Sequence, residues 1–390
     1  MKYDVVVVGA GMAGLSCALG LAQKGFKVAV VEAMQITKVF DTSIPPKRVS
    51  AINATSKNFL RDVGVWHGIA RNRVNDYVAM YVWDQNSNAK LSLKAEEFSL
   101  INLGVIVEND IIVAQLYQAL SILDVSIFEE CKIIELIQEK YQNSIKLTDG
   151  SVIESLLIIG ADGVNSFVRQ QYGFNCKFNP YKHHAIITNA KTEKPHQDIA
   201  YQRFLKNGVL ALLPLSSPYL CSVVYSVASV DFPRFDAMND KSFSDHLSVV
   251  SEGKLGALEL QSRRMSFELI ERHVDQYYKP GVVLISDAAH TIHPLAGQGI
   301  NLGFADVNAL IKVLVTAKTS RRNIADISTL AKYARERKFE NQLTIHMMQG
   351  LKQLFCNNNI GLSSIRAFGL NVVNNSKLLK RFFVESAGGL

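Results

Sequence analysis

The chain has 390 residues, of which 48% are hydrophobic and 20% charged, and its formal net charge is +7. This composition is typical of a globular protein and excludes a disordered chain, while the length exceeds what one hydrophobic core usually serves. We therefore expect two domains, and because the positive charges are dispersed rather than clustered, we expect no nucleic-acid partner.

The chain begins with a strand, a helix and a second strand. Residues 3–8 and 27–32 have the continuous apolar pattern of buried parallel strands, and residues 12–24 between them have a helical pattern. The turn from Gly9 to Gly14 joins the first strand to the helix and reads G-x-G-x-x-G. This motif alone is a weak indication, but in this strand–turn–helix context it is the dinucleotide-binding pattern.

Each part of this turn has a physical role. Gly9 lets the chain turn sharply, Gly11 lets the backbone approach a pyrophosphate, and Gly14 lets the helix lie close to the sheet. The N–H groups and positive dipole of the helix N-terminus favour phosphate. Glu32, at the end of the second strand, is placed to accept hydrogen bonds from an adenosine ribose. A glycine-rich turn without a ligand is the less favoured alternative.

The remaining pattern changes from helices to strands and back. Further helices are expected near 51–63, from Asn109 or Asp110 to about Leu123, at about 299–315, and over most of the chain from there to residue 386. Further strands are expected at 77–84, 125–129, 132–138, 145–148, 152–159 and 282–285, with hairpin-linked strands across 175–275.

This order predicts an α/β fold in which a discontinuous Rossmann-like domain encloses a second, sheet-based substrate domain and is followed by C-terminal helices. The predicted boundaries are 1–75, 101–174 and 280–345 for the nucleotide-binding domain, 76–100 and 175–279 for the substrate domain, and 346–390 for the C-terminal helical segment. Such a division suits a ligand that lies between two lobes.

Two later segments place carboxylates at the ends of predicted strands. These carboxylates are Asp162, within a G-A-D-G stretch, and Asp287, which precedes a loop containing Pro294 and Gly297. That loop leads into a second helix N-terminus near Gly299. One long dinucleotide could use both helix ends, one for its pyrophosphate and one for an electron-rich ring.

His290 and His293 have the H-x-x-H spacing of some metal sites. Carboxylate and thiol partners in a metal-site pattern are missing, and the spacing falls across a loop, so we predict no metal ion. The more favoured interpretation is that both histidines are structural or line the cofactor cleft.

The chain shows no targeting or membrane-spanning pattern. No uninterrupted apolar run reaches the ~18 residues that span a bilayer, and the first strand begins at Tyr3. The five cysteines form no C-x-x-C pair, which suits a reducing compartment. We therefore expect a cytoplasmic protein.

The C-terminal forty residues are basic and have apolar residues interleaved with the charges. Lys377, Lys380 and Arg381 alternate with pairs such as Phe382-Phe383. This pattern is typical of a helix that binds a membrane surface or a partner. A solvated terminal helix packed on the core is an equally good interpretation.

In their order and spacing, the segments Gly9–Glu32, Asp162-Gly163 and Asp287 resemble the three signatures of single-component FAD-dependent aromatic hydroxylases with the para-hydroxybenzoate hydroxylase fold. The chain is more similar still to the ubiquinone-biosynthesis ring hydroxylases, and the 2-polyprenylphenol hydroxylase branch looks nearest. Supporting stretches are 48–53, 65–66, 106–109, 200–204, 212–215, 287–303, 348–351 and 388–390. The resemblance is weakest over 85–100, 170–198 and 228–262.

The resemblance implies a set of FAD-binding residues. These are Gly9, Gly11, Met12, Ala13 and Gly14 at the pyrophosphate, Glu32 at the adenosine ribose, Arg48 at phosphate charge, Asp287 at the ribityl chain, Pro294 against the isoalloxazine, and Gly297, Gly299, Ile300 and Asn301 at its pyrimidine edge. Asp162 is expected to shape the cleft and the approach of NAD(P)H. Ser286 replaces a glycine of the family, and it would be strained by roughly 1 kcal/mol or more if its φ is positive.

The resemblance also implies the reaction. FAD, reduced by NAD(P)H, would use O2 as co-substrate to hydroxylate the aromatic ring of a polyprenylated phenol in ubiquinone biosynthesis, through a flavin C4a-hydroperoxide. The implied partners are this hydrophobic substrate, a multi-enzyme quinone-pathway assembly and the inner membrane surface. No catalytic residue is predicted. Tyr201, Leu210, Leu212 and Pro214 could line a channel for the isoprenoid tail, but ordinary sheet core is the more favoured reading.

Two other classes of protein stay open. The first is another flavoenzyme of this fold, such as an aromatic hydroxylase of a soluble substrate, a prenyl reductase or a halogenase. The second is a non-catalytic nucleotide-fold protein that binds a lipid or a partner.

Overall fold

The computed structural model describes residues 1–41, 44–85, 90–139, 142–291 and 299–355, together with residues 374, 376, 380, 381 and 384; over 345–355 it describes the backbone only. Pro294, Gly297 and His293 lie outside the described residues, as does most of the predicted C-terminal segment.

The strands, in chain order, are β1 (Lys2–Val8), β2 (Val28–Val31), β3 (Val49–Ile52), β4 (Val74–Tyr77), β5 (Ala79–Asp84), β6 (Lys90–Lys94), β7 (Gly104–Glu108), β8 (Val125–Phe128), β9 (Ile133–Gln138), β10 (Asn143–Leu147), β11 (Val152–Gly160), β12 (Cys176–Thr192), β13 (Ile199–Leu205), β14 (Gly208–Pro214), β15 (Leu220–Ala228), β16 (Leu258–Leu260), β17 (Met265–Val274), β18 (Tyr278–Lys279), β19 (Val282–Leu284) and β20 (His290–Thr291). The α-helices are α1 (Met12–Ala22), α2 (Ala54–Asp62), α3 (Trp66–Ala70), α4 (Asn109–Ser121), α5 (Phe167–Gln171), α6 (Phe232–Asp236), α7 (Asp240–Val250), α8 (Gly299–Thr319) and α9 (Ile327–Phe355). Short 3₁₀ turns occur at Ala95–Phe98 and Ser286–Ala288.

The first sheet contains the β1–α1–β2 unit and has the order β18-β19-β11-β1-β2-β8, with β10 and β9 continuing from β11. β1 pairs in parallel with β2 and β11, and β11 pairs in parallel with β19. Val5 to Val7 are fully buried, as expected for strands covered on both faces. Because parallel strands end at the same edge, the segments that follow β1, β2, β11 and β19 all meet there.

The second sheet has the order β20-β17-β12-β15-β14-β13-β5-β6, with β16 beside β12, and its two faces have different neighbours. Leu210 and Leu212 on one face form a core with Phe235 and Phe243 from α6 and α7. This contact supports the sheet-core interpretation of Leu210 and Leu212 rather than the channel interpretation, because helices cover that face.

The opposite face of the second sheet is directed at the three-stranded sheet β3-β7-β4. Ala200 and Leu213 of this face pack with Ala51 of β3 and Ile106 of β7. We call this side of the second sheet the inner face, because it packs on the three-stranded sheet. It is the side on which a ligand held between the two sheets would be found.

Two local predictions were wrong at their boundaries. The helix expected at 51–63 begins only at Ala54, because Ala51 and Ile52 belong to β3 and Asn53 caps the helix by accepting from Ser56 N at 2.9 Å. The strand expected at 77–84 is two strands, β4 and β5, which join different sheets on either side of Val78.

Helix α8 is long and apolar enough to cross a membrane by length and composition, although the sequence shows no uninterrupted apolar run. Half of the most apolar 18-residue stretch of α8 is buried inside the protein, and the helix packs against α1, α2 and α9. These contacts are those of a core helix.

The predicted domain boundaries stay a proposal, and two features of the structure bear on them. β20, at His290–Thr291, pairs with β17 of the second sheet, beyond the predicted end at 279. Within the predicted C-terminal segment, Lys380 Nζ lies 3.0 Å from Glu97 Oε2, and Val384 is buried. These two residues therefore pack on the body of the protein.

Candidate functional site

The turn between β1 and α1 needs glycine at two positions for steric reasons. Gly9 has φ +104°, and a Cβ there would lie 2.5 Å from the carbonyl oxygen of Ala161. A Cβ on Gly14 would lie 1.9 Å from the carbonyl oxygen of Gly9. The turn, the helix and the end of β11 are therefore in direct backbone contact.

Gly11 differs from its neighbours because its missing side chain faces open space. Within the part of the chain that the structure describes, no atom beyond its chain neighbours lies within 4 Å of a Cβ built on Gly11, which is the N-cap of α1. No side chain caps the helix, so the N–H groups of Met12 and Ala13 are available in its first turn. This open, glycine-lined helix end fits a pyrophosphate, which needs close backbone approach and N–H donors.

Glu32 lies directly beside this turn. Its Oε2 accepts from the N–H of Ala10 at 2.6 Å, and its Oε1 accepts from the N–H of Met34 at 2.9 Å. A carboxylate has about four lone-pair positions, so the half-buried group retains capacity for ribose hydroxyls. The two backbone bonds fix the carboxylate next to the proposed phosphate position.

Asp162 serves mainly to shape its own loop. Its carboxylate accepts from Ser166 Oγ at 2.5 Å and from the N–H of Val168 at 3.1 Å. Burial raises the pKa of Asp162, and these hydrogen bonds oppose the rise. The predicted effect of Asp162 on the cleft would therefore be exerted through the loop that its carboxylate holds.

The buried side chain of Arg169 connects this loop with the Asp287 segment. Its Nη2 donates to the carbonyl oxygen of Val164 at 2.7 Å, and its Nη1 donates to the carbonyl oxygen of Ala288 at 3.0 Å. Two segments that the sequence placed far apart are thereby joined at the carboxyl edge of the first sheet.

Asp287 lies in the 3₁₀ turn that follows β19. Asp287 is exposed to solvent. The surrounding protein raises the pKa of this carboxyl by desolvation. The positive charges of His290, Arg48 and Arg272 oppose that rise.

Arg48 lies between the two sheets. Its guanidinium carbon is 5.5 Å from the centre of the Phe267 ring, and its charge acts on Asp287. Phe267 pairs with Ala185, which pairs with Ser226, so all three belong to the inner face. The exposed guanidinium is thus near the Asp287 turn, and the predicted contact with a cofactor phosphate stays a prediction.

Ser286 has φ +54°, so the strained alternative foreseen for this residue applies. Left-handed backbone at a non-glycine residue costs of order 1 kcal/mol or more. The turn also packs tightly on α8, since a Cβ on Gly303 would lie 2.5 Å from Ser286 Oγ. The serine therefore sits in a backbone conformation suited to glycine.

The side chain of Asn301 attaches α8 to the end of β3 and the start of α2. Its Nδ2 donates to the carbonyl oxygen of Ala51 at 2.8 Å, and its Oδ1 accepts from the N–H of Asn53 at 3.1 Å. Any contact with the flavin would therefore come from its backbone. Gly299 and Ile300 precede it in the first turn of α8. Beyond its chain neighbours, no atom of the described residues lies within 4 Å of a Cβ on Gly299.

His290 is buried, and its Nε2 lies 2.5 Å from Oδ2 of Asp306, a fully buried residue of α8. Asp306 also pairs with Arg337 Nε of α9 at 2.8 Å. His290 thus has a structural partner, in line with the structural interpretation of this histidine. Neither Asp306 nor Arg337 was predicted as a functional residue. Asp306 could have been noticed as a carboxylate within the apolar stretch of α8, but Arg337 lies in the charged run 335–338, where the sequence does not distinguish it from its exposed neighbours.

Comparison with known proteins agrees with this geometry. The family model described as FAD binding domain matches residues 2–346. The 3-demethoxyubiquinol 3-hydroxylase of Escherichia coli (strain K12) is 34% identical over 395 residues, which cover 99% of this chain and 98% of the relative. The mitochondrial ubiquinone biosynthesis monooxygenase COQ6 of Homo sapiens is 32% identical over 429 residues, covering 97% and 91%.

Among solved structures, p-nitrophenol 4-monooxygenase from Pseudomonas putida DLL-E4 aligns with a TM-score of 0.78 at 17% identity, over 99% of this chain and 98% of that one. This likeness shows a shared fold. The fold, the glycine turn and the family match together define a flavin-binding protein, and the chain belongs to the FAD-binding-domain family. It is an FAD-dependent monooxygenase of the ubiquinone-biosynthesis ring-hydroxylase type, which confirms the family predicted from sequence.

Proposed function

We propose that this protein hydroxylates the aromatic ring of a polyprenylated phenol during ubiquinone biosynthesis. The observation that carries the proposal is the meeting of two dissimilar segments at one sheet edge, the open Gly11 helix end and the Asp287 turn. The names of the two full-length relatives supply the substrate class. Their identities of 34% and 32% are nearly equal, so the 2-polyprenylphenol branch and the ring position stay predictions.

The cofactor would lie along this edge. Gly11, with the N–H groups of Met12 and Ala13, would receive the pyrophosphate, and Glu32 would receive the adenosine ribose. Asp287 would receive the ribityl hydroxyls. Gly9 and Gly14 keep the turn in its shape, and the start of α8, at Gly299 and Ile300, would face the flavin ring. When bound, FAD supplies the redox chemistry that activates O2, and the chain's own residues bind, orient and shield the reactants.

The inner face of the second sheet offers a seat for the phenol. Both carboxyl oxygens of Asp84, Oε1 of Gln202 and Oγ of Ser226 are buried and have no hydrogen-bond partner among the described residues. The register places all three on this face, since Asp84 is paired with Phe204, and Phe204 with Val209. Buried polar atoms are costly unless they are satisfied, which makes these groups candidate partners for a substrate.

Gln202 is the residue of this group that we assign to the phenol hydroxyl. It lies two residues from Ala200, which packs with Ala51 of β3, so it is the nearest of the three groups to the three-stranded sheet. Its Oε1 can accept the hydroxyl hydrogen and thereby orient the ring. Asp84, on the neighbouring strand β5, provides a further acceptor.

A cavity near the end of β2 supports transient binding of NAD(P)H as the reductant. It has a volume of about 440 Å³ and is lined by residues of the 35–47 loop together with Arg73, Glu108 and Asp110. Its lining carries three cations, Lys38, Lys47 and Arg73, and three carboxylates, Asp41, Glu108 and Asp110, so its size rather than its net charge suits a dinucleotide. Association with the inner membrane surface and with other quinone-pathway enzymes is proposed from the substrate's hydrophobicity alone.

The test combines a spectrum with a deletion. Purified protein should be yellow and contain about one FAD per chain. Cells that lack the gene should accumulate a polyprenylphenol with one hydroxyl fewer than the next intermediate, and mass spectrometry should detect it. A flavin-containing protein whose deletion leaves the quinone pool unchanged, in a host without a redundant enzyme, would support a hydroxylase of a soluble substrate or a prenyl reductase instead.

A further inference from the structure

A buried carboxylate lies directly behind the Asp287 turn. Asp306 of α8 is fully buried, and its two oxygens accept four hydrogen bonds. Two come from the turn region, from Ser286 N at 3.0 Å and from His290 Nε2 at 2.5 Å. The other two come from α9, from Arg337 Nε at 2.8 Å and Asn341 Nδ2 at 3.1 Å. One side chain therefore ties three separate segments together.

The carboxylate is stable there only because it is so well satisfied. Burial by itself would raise the pKa of Asp306, but the charges of His290 and Arg337 and their hydrogen bonds lower it to about 2. An ionised carboxylate has only acceptors, so His290 must carry a hydrogen on Nε2. Removing one partner of such a group is costly because the remaining charges stay buried.

Two of the four bonds come from α9 and two from the segment around Asp287, and this distribution indicates the role of Asp306. A carboxylate that merely joined α8 to α9 would need only the two bonds from α9. The other two bonds hold the first and last parts of the segment that presents Asp287. One of them comes from the backbone N–H of Ser286, a residue that would not readily adopt its φ of +54° without support.

We propose that Asp306 is a positioning residue for flavin binding, which holds the Ser286–Asp287 turn in its left-handed conformation and so aims Asp287 at the ribityl chain. Arg337 and Asn341 fix the carboxylate from the opposite side. The inference rests on the proposed contact between Asp287 and FAD, and it is independent of which phenol is hydroxylated.

The experiment measures FAD affinity of apoprotein, by quenching of flavin fluorescence, together with the melting temperature of the same apoprotein. Asp306→Asn should raise the Kd for FAD about tenfold or more, since it removes a charged acceptor from the turn. Ser286→Gly should leave the Kd within about threefold, because glycine reaches positive φ without an anchor. Combined with Asp306→Asn, Ser286→Gly should restore most of the lost affinity.

A merely structural role would give a different result. In that case Asp306→Asn would lower the melting temperature while the folded protein kept its Kd for FAD, and Ser286→Gly would restore nothing. Asn143→Ala is the matched control, because Asn143 is buried in the same sheet and bonds the carbonyl oxygen of Gly281, before β19 rather than after it. It should lower the melting temperature and leave the Kd within about twofold.

Two further variants keep the test decisive. If Asp306→Asn does not fold, Asn341→Ala removes one of the four donors to Asp306, together with the bonds of Asn341 to Arg337 and Tyr277. It should raise the Kd about threefold, again with rescue by Ser286→Gly. Failure of that rescue overturns the inference. Asp287→Ala separates the two proposals. An unchanged Kd for FAD in Asp287→Ala refutes the flavin site itself. A raised Kd in Asp287→Ala together with a normal Kd in Asp306→Asn refutes only the positioning role of Asp306.

Discussion

Arg169 donates a hydrogen bond from Nη1 to the carbonyl oxygen of Ala288, 3.0 Å away and 119 residues later in the sequence. The guanidinium is buried and also bonds the carbonyl oxygen of Val164. It therefore holds the two loops that carry Asp162 and Asp287 at a set distance. Both loops follow parallel strands, so their spacing at the sheet edge also determines how the cleft between them is shaped.

Arg169→Ala should destabilise the protein and weaken FAD binding together. Loss of two charge-assisted hydrogen bonds should lower the free energy of unfolding by about 2–3 kcal/mol, and the loosened Ala288 segment should raise the Kd for FAD. Chemical denaturation and flavin fluorescence measure the two effects. Arg335→Ala, which removes an exposed arginine of α9, should change stability by less than about 0.5 kcal/mol. Equal effects of the two substitutions would contradict this prediction.

Substitutions of Gly14 and Gly11 should affect different properties: the stability of the fold in the first case and FAD binding in the second. Gly14→Ala places a Cβ 1.9 Å from a carbonyl oxygen, so we expect a loss of stability of at least about 3 kcal/mol. The Cβ of Gly11→Ala meets no further atom of the described residues within 4 Å, and Gly11 has an ordinary φ of −72°, so the apoprotein should melt as before. Its Kd for FAD should nevertheless rise about tenfold, because the Cβ obstructs the pyrophosphate. An unaltered Kd would place the pyrophosphate elsewhere.

Ser286→Gly should make the apoprotein more stable. The substitution relieves positive φ at a non-glycine residue, and the expected gain is about 1 kcal/mol in the free energy of unfolding. Thermal and urea denaturation should show it. Ser121→Gly is the control: this exposed serine ends α4, and glycine in a helix should lower stability by about 0.5 kcal/mol or more. A destabilised Ser286→Gly variant would mean that the serine hydroxyl stabilises the turn more than its backbone strain destabilises it.

Asp306 should make stability depend on acid. Its pKa in the folded protein is about 2, below the ordinary value of 3.8, so its contribution is fully present above about pH 5 and is lost as the pH falls through 2. The loss between these limits should be about 2 kcal/mol. Urea unfolding of the parent protein at several pH values, compared with Asp306→Asn, measures it. The difference in the free energy of unfolding between the parent and Asp306→Asn should decrease as the pH falls. A difference that stays constant would show that the pKa of Asp306 is not lowered in the folded protein.

Gln202→Leu should uncouple oxygen use from hydroxylation. The variant keeps a buried apolar side chain on the inner face but cannot accept a hydrogen bond, so the phenol would bind without orientation. We expect normal FAD content, and a fall of about tenfold in product formed per NAD(P)H oxidised, measured by mass spectrometry and absorbance. Tyr201→Phe is the matched control, since Tyr201 points to the opposite face of the same strand. Unchanged coupling in Gln202→Leu would remove Gln202 from the substrate site.

Some features of the second sheet were only partly readable from sequence. The alternation in β13 and β14 shows which residues share a face, but it does not show which face meets the rest of the protein. For Tyr201, Leu210, Leu212 and Pro214 the sequence left a channel open but favoured ordinary sheet core, and Leu210 and Leu212 do pack beneath α6 and α7. Which face is covered depends on where α6, α7 and β3 pack against the sheet, and the alternation within β13 and β14 does not show this.

The sequence by itself determined the β1–α1–β2 unit and the positions of Gly9, Gly11, Gly14 and Glu32, and the resemblance of this unit, Asp162-Gly163 and Asp287 to known signatures gave the FAD-dependent family. This was possible because every constraint in that unit is local: a buried strand, a glycine turn and a helix start follow one another within a few residues. The tertiary structure alone decided the positive φ of Ser286, the attachment of Asn301 to β3 and the partners of Asp306. Those features follow from the close approach of chain segments that are distant in sequence, and a buried charge acquires its partners only when such segments pack together.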